Sequence, residues 1–150
     1  MNSPEAILLL VEDDPSDVLF FERALTKAGG DVPLRVARDG NEAVAYLAGQ
    51  GVAADRGQHP LPLLVVLDLK LPYRSGFEVL EWLRKEPIFK DLPVIVLTSS
   101  REPSDLSRAK ALGVDAYEVK PVHFPDLLSI VTSIRARWWA LAQAKVGRRS

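Results

Sequence analysis

Four stretches of this chain carry side chains suited to metal or phosphoryl chemistry, and each stands at the end of a short apolar run. Glu12, Asp13 and Asp14 follow the first such run, Asp68 follows another, Thr98 ends a third ahead of Ser99 and Ser100, and Lys120 follows the last. If the runs are neighbouring strands of an open parallel sheet, their carboxyl ends share one crevice, where such sheets place ligands. Carboxylates gathered there repel one another. Two unit charges about 4 Å apart interact at about 4 kcal/mol with an effective dielectric of 20. The cluster must therefore hold a proton, meet a cation or spread apart. Oxygen donors with no Cys and no nearby His suit a hard divalent ion, and Mg²⁺ accepts one or two carboxylates together with water and phosphate. Lys120 offers a point charge to a phosphoryl oxygen and Thr98 a donor to a second. Asp68 is then either a further ligand or a nucleophile, since a carboxylate can form an aspartyl phosphate.

The elements that must position these groups alternate along the chain. The short runs are Ala6–Val11, Leu34–Ala37, Leu63–Leu67, Val94–Leu97 and Ala116–Val119; most are apolar on both faces, as buried parallel strands are. Leu34–Ala37 is interrupted by Arg35 and Ala116–Val119 by Glu118. Between the runs, apolar residues recur at helical spacing over Pro15–Ala28, Asn41–Ala48, Gly76–Lys85, Pro103–Leu112 and from Pro125 onward. Gly29-Gly30 and Pro87 supply stops. Five strands alternating with five helices predict an α/β fold with a parallel sheet. Gln50–Leu61 reads as a long Gly-, Ala- and Pro-rich loop. Lys145–Ser150 reads as a frayed basic tail.

Composition narrows the classes of function. The 150 residues fit one domain, read here as 1–150 with a core of about 5–135. With 47% hydrophobic and 26% charged residues, disorder and fibrous folds are excluded. Nineteen basic against twenty acidic residues give no general affinity for nucleic acid or an anionic membrane. The absence of cysteine removes disulfides, thiol nucleophiles and thiolate metal sites. The N-terminus is polar without a basic residue, and Ala6–Val11 is too short for a signal segment or a membrane span. The expectation is a soluble cytoplasmic protein.

Four motifs in order, LLLVEDDPSD, VVLDLKLPYRSGFEVL, VIVLTSS and GVDAYEVKPV, resemble a response-regulator receiver domain. Thr98 follows Asp68 by 30 positions and Lys120 by 52, and the likeness runs over about residues 5–135. The insertion before the third strand and the extended last helix are similar to stand-alone regulators paired with bacterial phytochrome kinases. The resemblance implies a flavodoxin-like (βα)5 fold with a five-stranded parallel sheet in the order 2-1-3-4-5, helices on both faces and no DNA-binding output domain. It implies a phosphoacceptor rather than an enzyme. A sensor histidine kinase would donate to Asp68; Mg²⁺ would be bound by Asp13, Asp68 and the backbone carbonyl of Lys70, with Glu12 acting mainly through water. Lys120 would contact the phosphoryl group, Thr98 would swing toward it, and Tyr117 would rotate with that swing. The Lys120–Pro121 bond is expected to be cis. Lys70 stands at a position where the family varies and which tends to tune phosphate lifetime.

Plainer roles compete for some of these residues. Glu12-Asp13-Asp14 before Pro15 can simply start a helix, and Asp14 and Ser16 suit capping alone. Thr98-Ser99-Ser100 can cap the next helix, and Tyr117 can be a core ring. Trp138 and Trp139 are adjacent, so about 100° separates them on a helix and one narrow face does not bury both. One ring covering the core and the other meeting a second subunit would make a homodimer through the last helix. Rival functions are a haloacid-dehalogenase-like phosphatase, a flavodoxin-like cofactor binder, and a receiver that only binds partners. The first needs a second Asp where Lys70 stands, and the second needs a phosphate-cradling loop where Glu12-Asp13-Asp14 would repel phosphate.

Overall fold

The computed structural model describes residues 6–29 and 31–149. Its elements alternate from the start: β1 (Ile7–Val11), α1 (Pro15–Lys27), β2 (Leu34–Ala37), α2 (Gly40–Ala48), β3 (Pro62–Leu67), α3 (Gly76–Lys85), β4 (Val94–Thr98), α4 (Pro103–Ala111), β5 (Ala116–Val119) and α5 (Phe124–Ser133). The strands form one parallel sheet in the order β2-β1-β3-β4-β5. The runs that are apolar throughout, β1, β3 and β4, are the three central strands. The interrupted ones, β2 and β5, are the edges, where Arg35 and Glu118 can reach water.

Alternate side chains of each central strand serve different cores. Leu8, Leu10, Leu64, Val66, Ile95 and Leu97 pack with Val18, Phe21 and Leu25 of α1 and Val131 of α5. Leu9, Val11, Val65, Leu67, Val94 and Val96 face the other way, against Val44 and Leu47 of α2 and Leu80 and Leu83 of α3. Helices therefore cover both faces of the sheet.

Local chemistry sets where the helices begin. Asp14 caps α1, its Oδ1 accepting from the backbone N–H groups of Ser16 at 2.8 Å and Asp17 at 3.4 Å, with Pro15 in the first turn. Asp39 caps α2 through the Glu42 N–H at 2.7 Å, and Ser75 caps α3 through the Glu78 N–H at 3.2 Å. Two glycines allow close backbone approach near the strand ends. A Cβ on Gly40 would overlap the carbonyl of Arg74, and one on Gly76 the carbonyl of Asp68.

Two expectations are corrected, while the stretch 50–61 is a loop as expected, with a 3₁₀ turn at Gly51–Ala54. The Arg56 guanidinium holds it by donating to the carbonyls of Tyr46, Leu47 and His59, all within 3.1 Å. The tail is helical rather than frayed: Ile134–Trp139 is a π-helical segment continuous with α5, and α6 spans Ala140–Arg149, with Ser150 outside the described residues. The π segment also answers the tryptophan question, because i→i+5 bonding turns each residue through a smaller angle than an α-helix does. Trp139 is buried at 4% exposure and Trp138, half-buried, packs against the same core. Both the π segment and α6 touch β3. Lastly, the Lys120–Pro121 bond is trans, as is every peptide bond among the described residues. Trans is the lower-energy isomer of an X–Pro bond by about 0.5–1 kcal/mol. Among the described residues no helix is long and apolar enough to cross a membrane.

Candidate functional site

Among the described residues only four polar or charged ones are buried: Glu12, Asp68, Thr98 and Ser100. All stand at or just beyond the carboxyl ends of the three central strands. Backbone bonds carry the sheet's order one residue past the strands and so aim these side chains. The Glu12 N–H donates to the Ala37 carbonyl at 2.9 Å, the Asp68 N–H to the Val11 carbonyl at 3.1 Å, and the Lys120 N–H to the Thr98 carbonyl at 2.8 Å. Side chains distant in sequence thus meet over the end of the sheet.

Glu12, Asp13 and Asp68 each present a carboxylate oxygen, and these three lie within 4.8 Å of one another. Glu12 and Asp68 are buried, whereas Asp13 is open to solvent. Hard oxygen donors at this spacing fit a small divalent cation, with Asp13 on the side where water ligands can enter. The Lys120 ammonium sits against the same group. Its Nζ lies 2.6 Å from Glu12 Oε1, 2.8 Å from Asp68 Oδ2 and 2.8 Å from Asp17 Oδ2. The three N–H donors of the ammonium match these three acceptors.

Burial pushes Glu12 up to about 7; contacts with Lys120 and the Asp14 N–H oppose this, and the negative charge of Asp68 adds to it. Burial alone would lower Lys120, but hydrogen bonds to Asp17, Asp68 and Glu12 outweigh it and raise the ammonium above its ordinary value. Lys120 therefore stays charged at neutral pH, and Glu12 is the carboxyl that takes up a proton when a second cation is lacking.

Thr98, fully buried, accepts the Ser100 N–H on Oγ1 at 3.4 Å. Ser100 donates its hydroxyl to Asp105 Oδ2 at 2.5 Å and accepts the Glu102 N–H at 3.3 Å, tying the strand end to the start of α4. Tyr117 does not touch the carboxylates. From β5 its hydroxyl donates to the Ser100 carbonyl at 3.1 Å, so it reads the same loop from the other side. Lys70 approaches through its backbone, its N–H donating to Asp68 Oδ1 at 3.3 Å, while its side chain is exposed. Asp14 serves as a helix cap. Asp17 and Asp105 are the residues that the sequence reading missed. Asp17 lies in the first turn of α1, where an acid already suits the helix terminus and so gave no separate signal.

The arrangement can hold a divalent ion on carboxylates and present Asp68 to an anionic, oxygen-rich group beside an ammonium. Known proteins share this chain's pattern. The family profile of the response regulator receiver domain matches residues 8–132. Response regulator Rcp1 of Synechocystis is 35% identical over 137 residues, covering 91% of this chain and 91% of that protein. The crystal structure of the phosphorylated cyanobacterial phytochrome response regulator RcpA superposes with a TM-score of 0.83 at 34% identity, covering 91% of this chain and 96% of that one. The Mn²⁺-bound form of Rcp1 gives a TM-score of 0.81 at 35% identity, covering 89% and 94%. This chain belongs to the response regulator receiver domain family.

Proposed function

We propose that the protein is a phosphorelay switch, one receiver unit in which Asp68 accepts a phosphoryl group from a sensor histidine kinase. The observation that carries this reading is the meeting of Glu12, Asp13 and Asp68 within 4.8 Å with Lys120 Nζ 2.8 Å from Asp68. In the transfer, an Asp68 carboxylate oxygen forms a P–O bond as the P–N bond of the donor phosphohistidine breaks, and the departing imidazole takes up a proton. Glu12, Asp13, Asp68 and the Lys70 carbonyl would hold Mg²⁺, which supplies charge neutralisation for the phosphoryl oxygens when bound. Lys120 turns an ammonium proton to a phosphoryl oxygen, and Thr98 exchanges its backbone contact for another.

The product would shift a two-state equilibrium, because the added charge is met by Thr98 and Lys120 in one arrangement only. Tyr117 would follow through its bond to Ser100, changing the face formed by α4 and β5. The Mn²⁺-bound Rcp1 and the phosphorylated RcpA support metal and phosphoryl chemistry at such a site, and their likeness to this chain favours a phytochrome-type kinase as donor. Cytoplasmic location follows from that partnership. A homodimer through the last helix belongs to the same reading; Leu141 of α6, at 51% exposure, offers an apolar contact there.

Incubation with acetyl phosphate and Mg²⁺, followed by mass spectrometry, tests the proposal. The expected result is one base-labile phosphoryl adduct, absent from Asp68→Asn and from samples with chelator. An adduct that persists in Asp68→Asn would overturn it.

A further inference from the structure

Lys120 has three acceptors, and two of them belong to the group that could hold a divalent ion. Glu12 and Asp68 lie in that carboxylate group; Asp17 does not. Asp17 stands in the first turn of α1, where its own N–H is held by the Asp14 cap and where the helix terminus favours a carboxylate. Its side chain is 38% exposed, yet its Oδ2 lies 2.8 Å from Lys120 Nζ. With Glu12 and Lys120 it borders a cavity of about 50 Å³ that Phe20, Leu97 and Leu127 also line, so apolar side chains back the contact.

These contacts separate during the reaction proposed above, on which this inference rests. A cation would draw Glu12 and Asp68 to itself, and a phosphoryl group on Asp68 would present new acceptors to the ammonium. Two of the three N–H groups of Lys120 then change partner. Asp17 is the acceptor that neither the cation nor the phosphoryl group claims.

We infer that Asp17 is a positioning residue, a fixed anchor from which the Lys120 ammonium turns between the Asp68 carboxylate and the phosphoryl group it receives. Removing the anchor leaves the long lysine side chain free to disperse over its rotamers, so fewer encounters find the ammonium in place. The loss is kinetic and passes through Lys120.

The test compares the full chain with Asp17→Ala, Asp17→Asn, Lys120→Ala and the double variant Asp17→Ala/Lys120→Ala. Phosphorylation by acetyl phosphate is followed at saturating Mg²⁺, with Mg²⁺ affinity measured by calorimetry. A part-exposed charged hydrogen bond predicts that Asp17→Ala slows the maximal rate by about three- to tenfold. Asp17→Asn, which keeps an oxygen acceptor, should recover part of that loss, and Mg²⁺ affinity should stay within about twofold. In the Lys120→Ala background Asp17→Ala should add nothing, because the residue it acts through is gone. The ammonium resonance of Lys120 in the unphosphorylated chain should shift in Asp17→Ala, which reads the anchor independently of turnover.

An equal loss in both backgrounds, an unchanged rate in Asp17→Ala, or a matching fall in Mg²⁺ affinity overturns the inference while leaving the phosphoacceptor reading intact. A parent chain that acquires no adduct overturns that reading, and the kinetic role of Asp17 with it.

Discussion

Lys120 Nζ stands 2.8 Å from Asp68 Oδ2, although 52 positions separate the two residues. The sheet order makes the contact possible: β4 lies between β3 and β5, and only side chains long enough to reach over it can meet. Lysine reaches, and its charge is what the carboxylates lack.

Lys120→Ala should therefore have opposite effects on stability and metal binding. Without the ammonium, Glu12 and Asp68 remain buried beside each other uncompensated, and removing one partner of such a group typically costs about 3–5 kcal/mol. Mg²⁺ can supply the missing charge. The variant should melt well below the parent in chelator, recover most of the difference at saturating Mg²⁺, and bind Mg²⁺ more tightly than the parent. Thermal melts across a Mg²⁺ series check this; a deficit that Mg²⁺ leaves unchanged would show that Lys120 acts by packing.

Glu12 gives the site a pH dependence whose sign is fixed by its direction of shift. The folded chain holds the Glu12 proton up to about 7, against 4.5 for an ordinary glutamate. Between those values the folded state binds more protons than the unfolded one, so without metal its contribution to stability declines as pH rises from about 4.5 to 7, by on the order of 3 kcal/mol in all. Metal binding must expel that proton. Mg²⁺ affinity should rise up to about tenfold per pH unit below 7 and level off above it. Calorimetry in buffers of different ionisation enthalpy should show proton release near pH 6 and none near pH 8.5. Glu12→Gln should flatten the profile.

How much of this was legible in the sequence depends on what each residue does. Asp68, Thr98 and Lys120 were readable because a polar group ending an apolar strand has few structural reasons to be there. Asp17 was not, since an acid in a helix's first turn already has the helix terminus as an explanation. The edge strands announced themselves through Arg35 and Glu118. The π segment did not, because Trp138 and Trp139 suggest a conflict only if the helix keeps its regular turn. Hydrogen bonds from Arg56 order a loop whose Gly and Ala content reads as slack.

Ser100 and Asp105 define a latch at the head of α4 that can be tested without phosphorylation. Asp105→Ala leaves the Ser100 hydroxyl without its 2.5 Å acceptor and removes an acid from the helix's first turn. The loss should be about 1–2 kcal/mol, from one charged hydrogen bond and one helix-terminus charge. Hydrogen exchange should speed over 99–106 while β1 and β3 stay protected. Tyr117→Phe, which removes only the 3.1 Å bond to the Ser100 carbonyl, should loosen the same segment by about 1 kcal/mol. If exchange in that segment is unmoved by both variants, the loop is held by backbone alone.

The last helix separates stability from association. Trp139 is buried at 4% exposure against the core that α1 and α5 share, so Trp139→Ala should cost about 3–5 kcal/mol from lost burial and the cavity left behind. That loss would appear whatever the oligomeric state. Leu141 points out of the fold at 51% exposure, and Leu141→Asp should change the melting temperature of an isolated protomer little. If the homodimer forms through this helix, Leu141→Asp shifts it toward monomer in light scattering, because a charge buried in an apolar contact has no partner there. A parent chain that stays monomeric at every workable concentration would sink the dimer and leave the Trp139 result standing, since Trp139 packs within its own protomer.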